Sequence, residues 1–257
     1  MKITFLGTTG SYMTENKSFP SILINDDLLL DCGEGCTQKL LQLKTINTIT
    51  TICISHLHGD HISGLFSLLW HYWLSNRTTD LTIIGPPHTK ATTEKIFTLF
   101  NVPGGFEVFN FKLYFNELTD SNEIQEINGD YKIKCAKMDH AILSFAYRVE
   151  KNDKIVCYSG DTKPIQRLVK LADKCDVFIC ESTFPDKYRK FANEYGHSTP
   201  TEVAKMARDA NCHKLVLVHL YPLFAKKVLK AKKSLKEIFN KEIIIPDDLD
   251  TLEIQEN

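Results

Sequence analysis

Ser55-His56-Leu57-His58-Gly59-Asp60-His61 is the stretch on which the fold and chemistry of this chain turn. The chain holds nine histidines in 257 residues, and three of them fall inside positions 56–61. Side chains of an extended segment alternate with period two, so His56 and His58 share one face. Gly59 is expected to let the backbone turn, which brings Asp60 and His61 back toward the same volume. Imidazole and carboxylate groups at this spacing suit Zn²⁺ or a similar divalent ion. A solvated polar loop would show no such concentration of ligand types.

Four protein ligands around one zinc close it, and closed sites are structural. Two ions sharing these four residues need further ligands, which the rest of the chain offers in a regular way. Apolar runs of strand character end in a titratable residue at Asp31, His56, His140, Asp161, Glu181 and His219. Strand ends in layered α/β folds converge on one edge, where loops build sites. These endings therefore predict one constructed pocket.

Apolar spacing predicts strands over 2–6, 21–24, 28–31, 51–55 and 81–85, with helices over 34–43 and 62–74. Short alternating strands follow at 106–110, 131–137, 145–150 and 154–159. Helix and strand then alternate: helices at 164–172 and 200–210, strands at 177–180 and 214–219. A lysine-rich helix over 224–239 and a strand over 242–245 close the pattern. No linker or repeat interrupts it, so residues 1–257 read as a single domain.

Composition mainly excludes. Hydrophobic residues at 43% and charged residues at 25% rule out disordered and fibrous classes. The 31 Lys+Arg against 32 Asp+Glu leave no global basic field, so any nucleic-acid binding must be local. The apolar stretches fall far short of the ~20 residues that cross a bilayer, and no secretory signal is visible. Cysteines stand at 32, 36, 53, 135, 157, 175, 180 and 212, mostly in apolar runs and never as Cys-x-x-Cys. That usage predicts free thiols and a cytoplasmic protein rather than a disulfide framework.

The chain resembles the metallo-β-lactamase superfamily and, within it, the ribonuclease Z branch. The motif His-x-His-x-Asp-His stands as His56, His58, Asp60 and His61, followed by His140, Asp161 and His219. Phe5-Leu6-Gly7-Thr8, Asp31-Cys32-Gly33-Glu34-Gly35, Leu81-Thr82-Ile83-Ile84-Gly85-Pro86, Glu181-Ser182-Thr183-Phe184 and His197-Ser198-Thr199 extend the likeness. It implies a four-layer αββα sandwich, with two mixed sheets flanked by helices. It also implies two divalent ions, Zn²⁺ before Mn²⁺ or Fe²⁺. One would sit on His56, His58 and His140, the other on Asp60, His61 and His219, with Asp161 bridging. Two such ions lower the pKa of a shared water toward ~7 and neutralise phosphate oxygens. By the same resemblance Asp60, Glu181 and His197 are catalytic, with Glu181 orienting His197 toward the scissile phosphate or leaving oxygen. Asp31 is expected to hydrogen-bond a ligand imidazole from behind. The implied activity is cleavage of precursor tRNA at its 3′ end by a homodimer.

The chain departs from the branch in three places. Segment 9–18 carries Asn16 and Lys17 but lacks the Pro and the Arg-Asn pair that help seat RNA. Gly33-Glu34-Gly35-Cys36-Thr37-Gln38 has one residue more than the usual Gly-Glu-Gly-Thr-Gln run. Only 20 residues separate His140 from Asp161, where armed members carry a tRNA-gripping extension. Residues 107–128 leave room for an ordinary hairpin at most. The alternative is therefore a hydrolase of a small phosphodiester or sulfate ester in the same branch. A secreted β-lactamase fits less well without a signal, and a metal-free scaffold would have lost ligands that all remain.

Two further patterns need weighing. Lys226, Lys227, Lys230, Lys232, Lys233, Lys236 and Lys241 cluster near the end, but Val228, Ala231, Leu235 and Phe239 follow helical spacing. The lysines thus read as a solvated helix face before an RNA clamp. Leu65, Leu68, Leu69, Tyr72 and Trp73 also follow helical spacing, so that aromatic run reads as core or dimer packing before base stacking.

Overall fold

The computed structural model describes residues 1–102 and 104–255. Residues 103, 256 and 257, included in the expected single domain, lie outside the described residues, as does the side chain of Ala231. In chain order the strands are β1 (Lys2–Gly7), β2 (Ser21–Ile24), β3 (Leu28–Leu30), β4 (Thr51–Cys53), β5 (Leu81–Gly85), β6 (Leu113–Glu117) and β7 (Gln125–Asn128). They continue with β8 (Lys132–Lys137), β9 (Phe145–Lys151), β10 (Lys154–Tyr158), β11 (Val177–Glu181), β12 (Lys214–Val218), β13 (Glu242–Ile244) and β14 (Thr251–Glu253). The helices are α1 (Cys36–Leu43), α2 (Gly59–Leu74), α3 (Thr89–Leu99), α4 (Gln166–Leu171), α5 (Arg189–Glu194), α6 (Pro200–Asp209) and α7 (Ala225–Ile238).

Three consecutive leucines show how the layers form. Leu28, Leu29 and Leu30 are all fully buried. Leu28 and Leu30 pack into the cluster between the two sheets, whereas Leu29 packs under the helices that cover the first sheet. β11 and β12 divide in the same way: Val177, Ile179, Val216 and Val218 face the other sheet, while Phe178, Cys180, Leu215 and Leu217 face α4, α6 and α7. Strands covered on both faces need apolar residues at every position. Three interlayer clusters make four layers, the αββα sandwich.

The first sheet runs β14-β1-β2-β3-β4-β5-β6 and the second β13-β12-β11-β10-β9-β8-β7. Each is mixed. β3 to β6 are parallel, as are β10 to β13, and the remaining pairs are antiparallel. Parallel strands place their C-terminal ends on one edge, so Asp31 after β3, His56 after β4, Asp161 after β10 and His219 after β12 emerge together. Asp31 and His219 turn out of their strands at φ 57° and 57°, a left-handed conformation uncommon for residues with a Cβ.

Several expectations give way here. Residues 106–110 form no strand: Gly105–Val108 is a 3₁₀ turn, and Phe106 and Phe109 pack against the helical layer. Residues 107–128 form not even the hairpin for which they left room, because β6 pairs with β5 and β7 with β8, on opposite sheets. α3 lies in a segment whose polar threonines masked a helix; Thr89, Thr93 and Phe97 form its buried face. Gly59 is not the turning point either. His58, extended at φ −67° and ψ 147°, precedes α2, and nothing lies within 4 Å of a Cβ placed on Gly59. Asp60 and His61 thus belong to the first turn of α2, where the helix dipole favours a carboxylate. Leu65, Leu68, Leu69 and Tyr72 lie in the helical core, and the Tyr72 hydroxyl donates to Ile46 O at 2.6 Å.

Candidate metal centre

The strand ends meet at a cleft of about 550 Å³ lined by His58, Asp60, Asp161, His197 and His219, together with Ser11, Phe19, Gly59 and Ser63. All seven expected ligands come together here. His56 Nε2 and His140 Nε2 lie 3.1 and 3.2 Å from His58 Nδ1. His61 Nε2 and His219 Nε2 face each other at 3.2 Å, and Asp60 Oδ2 is 3.4 Å from His219 and 3.8 Å from His61. Asp161 Oδ2 stands between the two groups, 3.8 Å from His56, 4.0 Å from His140, 3.4 Å from His61 and 3.3 Å from His219. His56–His58–His140 and Asp60–His61–His219 each bring one ligand atom per residue within 4.8 Å of the others.

This donor set fits divalent metal. Bonds of about 2.0–2.1 Å in a tetrahedron hold their ligands about 3.3–3.4 Å apart, close to the nitrogen separations within each group. Asp161 Oδ1 is buried and has no hydrogen-bond partner, a costly arrangement that a cation would relieve. Burial and the neighbouring His61 push His56 well below the ordinary imidazole range, and burial and His140 lower His58, so both favour the neutral form that ligates. Burial opposes ionisation of Asp161, but His219 and His61 outweigh it and hold the carboxylate charged. At Asp60 burial is likewise outweighed, by the hydrogen bond from His219 and by His61. His61 behaves oppositely to His56: burial disfavours its charge, but Asp161 and Asp31 raise it well above the ordinary range.

Behind these groups two buried carboxylates fix imidazole orientation. Asp31, fully buried, accepts from Ser55 N at 2.6 Å, Ser55 Oγ at 2.8 Å, Tyr158 OH at 2.6 Å and His61 Nδ1 at 2.7 Å. The hydrogen bond to Nδ1 leaves Nε2 of His61 facing the cleft side. Glu181 serves the other half. It accepts from Thr162 N at 2.9 Å, Ser198 N at 3.2 Å, Thr183 Oγ1 at 2.7 Å and His197 Nδ1 at 3.0 Å. Burial opposes a charge on His197, but Glu181 raises it to about 9. Thr183, donating to Glu181, accepts from His219 Nδ1 at 2.8 Å and so leaves Nε2 toward Asp161. His140 Nδ1 donates to Gly196 O at 2.8 Å. Gly196 sits at φ 77°, and a Cβ there would come within 2.8 Å of His140, so only glycine allows the approach.

Sequence reasoning missed Thr183, Tyr158 and Ser55. Thr183 lay inside a motif already quoted, whereas Tyr158 had no signal, since its partner Asp31 is 127 residues away. Segment 9–18 meets the centre at Ser11, whose N donates to Asp60 Oδ2 at 3.2 Å, and at Gly10, where a Cβ would come within 2.3 Å of His219 Nδ1. Lys17 is turned away and pairs with Asp247 at 2.8 Å. Asp248 holds the two ends of the segment, accepting from Ser18 N at 2.7 Å and from Oγ1 of Thr8, the residue that precedes it, at 2.7 Å. All eight cysteines are free and buried, as expected. Among the described residues no helix is long and apolar enough to cross a membrane.

Comparison with known proteins agrees with this geometry. A family model described as a beta-lactamase superfamily domain matches residues 27–220. Ribonuclease Z of Picrophilus torridus is 30% identical, over 85% of this chain and 85% of its own length. Ribonuclease Z of Archaeoglobus fulgidus is 27% identical over 300 aligned positions, covering 96% of this chain and 95% of its own. Because this chain has only 257 residues, at least 43 of those positions have no counterpart in it. The crystal structure of human tRNase Z, short form, superposes with a TM-score of 0.82 at 25% identity, covering 99% of this chain and 100% of that one. The chain belongs to the beta-lactamase superfamily and, within it, to the ribonuclease Z family.

Proposed function

We propose that the chain is a divalent-metal-dependent endoribonuclease that cleaves precursor tRNA at its 3′ end. The observation that carries this reading is the convergence of five imidazoles and Asp60 around Asp161, whose buried Oδ1 has no hydrogen-bond partner, in a chain of the ribonuclease Z family. His56, His58 and His140 would hold one ion, Asp60, His61 and His219 a second, and Asp161 would touch both; zinc suits this donor set best. Two such ions would supply charge neutralisation at the phosphate and an acidified water at neutral pH.

The chain's own residues do the rest. Asp31 and Thr183 hold His61 and His219 in the tautomers that point Nε2 inward. Glu181 keeps His197 protonated at the mouth of the cleft, ready to stabilise the phosphate or protonate the departing O3′. Water adds to phosphorus, the P–O3′ bond breaks, and the tRNA keeps a 3′-hydroxyl while the trailer leaves with a 5′-phosphate. A homodimer in the cytoplasm completes the proposal, the compartment being supported by eight buried free thiols.

One observation favours the alternative substrate class. The chain between His140 and Asp161 is used up by β9 and β10, a close hairpin that leaves no arm to grip tRNA. Cleavage of a small phosphodiester or sulfate ester needs none. A precursor tRNA with a 3′ trailer is expected to be cut after the discriminator base, with close to two metals per chain, and Asp60→Ala to lose both metal and activity. Turnover of an aryl phosphodiester without cleavage of that RNA selects the alternative. Full activity in metal-free Asp60→Ala overturns both.

A further inference from the structure

Beside the cleft lies a surface that the chemistry just described does not use. Phe184, Tyr188, Phe191, Tyr221, Leu223 and Phe224 line a shallow apolar depression of about 340 Å³. Its rings form a continuous path that begins at the metal centre. Phe184 lies 5.9 Å from the His197 ring, Tyr221 stacks on Phe184 at 5.6 Å, and Phe224 is 5.5 Å from Tyr221 and 5.1 Å from Tyr188. Tyr221 follows His219 by two residues, and its backbone N–H donates to Thr183 O at 3.2 Å. The inner end of the path is therefore fixed to the same element that carries His219.

The outer end is open and positively charged. Leu223 is 70% exposed. Lys187 Nζ lies 4.4 Å from the Tyr188 ring centre and Lys227 Nζ lies 5.3 Å from that of Phe224. Among the described residues no carboxylate lies within ion-pair distance of Lys187, Lys190, Lys226 or Lys227, and all four are exposed. Aromatic faces with cations at their rim suit one kind of occupant: a polyanion that carries flat rings, namely unpaired nucleotides. A purely apolar partner would leave the cations without a counter-charge, and a folded acidic protein surface would leave the ring faces unfilled.

We propose that the Phe184–Tyr221–Phe224–Tyr188 surface stacks unpaired bases of the RNA next to the scissile phosphodiester, with Lys187 and Lys227 on the adjoining phosphates. The identity of the occupant rests on the endoribonuclease reading, and the surface offers this chain a grip on single-stranded RNA, where its described residues form no arm. Stacking is tolerant of sequence, since every base has a π-face.

The test uses equilibrium binding of a fluorescent single-stranded oligoribonucleotide by the metal-loaded protein, read by anisotropy, alongside cleavage of precursor tRNA. Phe224→Ala is expected to weaken oligonucleotide binding by about five- to 150-fold, the range for loss of one stacked base. Phe224→Trp is expected to bind as the parent does, whereas Phe224→Leu stays weak although it keeps apolar bulk. Abasic sites in the RNA should weaken binding to the parent protein but add little in Phe224→Ala, since both changes remove one interaction. Full affinity in Phe224→Leu, or equal abasic losses in parent and variant, overturns the proposal. So does a change in the sedimentation coefficient of Phe224→Ala with RNA affinity intact, which would mark the surface as a protein interface. Because binding is read without cleavage, failure of the parent to cut precursor tRNA counts against the endoribonuclease reading alone.

Discussion

The floor of the cleft and its rim follow opposite rules. On the floor Asp31, His56, His61, Asp161, Glu181 and His219 are all buried, and nearly every polar atom has a partner inside the protein. Asp31 alone accepts from Ser55, His61 and Tyr158. On the rim the lysines at 187 and 227 lie beside aromatic rings and, among the described residues, pair with no carboxylate, while Leu223 and Phe191 stand in solvent. The floor is over-determined, as electrostatic preorganisation requires, because groups aimed at a developing charge must not relax when the charge appears. The rim is under-determined, which suits a flexible polymer that brings its own charges and rings. On the proposed reading, chemistry is set by internal constraint and substrate grip by what is left unsatisfied outside.

That contrast predicts different losses for changes in the two regions. His197→Ala should reduce kcat on precursor tRNA and on an aryl phosphodiester alike, by about 10²–10⁴-fold, while metal content stays at the parent value. A loss confined to RNA would assign His197 to substrate grip rather than to chemistry and break the comparison. Asp31→Asn should weaken metal binding by about 10–100-fold, read by chelator competition, because the amide cannot accept from His61, Ser55 and Tyr158 together. It should also cost about 3 kcal/mol through the disrupted buried network, lowering Tm by roughly 6–12 °C. An unchanged Tm would show that the floor is less constrained than its hydrogen bonds imply. Smallest of all, Lys227→Ala should weaken RNA binding several-fold and reduce the salt slope of log K by about one. Equal turnover of the aryl diester by parent and Lys227→Ala would sharpen the division.

Much of the floor is legible in the sequence alone. His56, His58, Asp60 and His61 are crowded into six positions, and candidate ligands this close in sequence are close in space whatever the fold does. The strands were legible too, because β3, β11 and β12 are buried on both faces and therefore continuous in apolar residues. The segment 86–128 was read poorly. Its helix α3 hides under threonines, and its two strands belong to different sheets, so no local pattern couples them. Gly59 was misjudged because a glycine between ligands resembles a hinge, whereas the turn is made by extended His58.

The expected helix face near the C-terminus fared better: Val228, Leu235 and Phe239 are buried, Lys226, Lys227, Lys230, Lys233 and Lys236 are exposed, and Lys232 is half-buried. Lys241 instead donates to Cys212 O at 2.8 Å.

By itself the sequence determined the candidate ligand types, their order along the chain and the strands that carry them, since those depend on composition and period. The tertiary structure alone decided which hydroxyl and carboxylate stand behind each imidazole and which rings border the cleft. A threonine such as Thr183 or a tyrosine such as Tyr158 carries no chemical mark until the fold sets it against His219 or Asp31. Likewise Tyr12 and Tyr221 become neighbours at 5.3 Å only when the first and last parts of the chain close over the same edge. Long-range contacts are set by how two twisted sheets meet, and no local window of sequence contains that geometry.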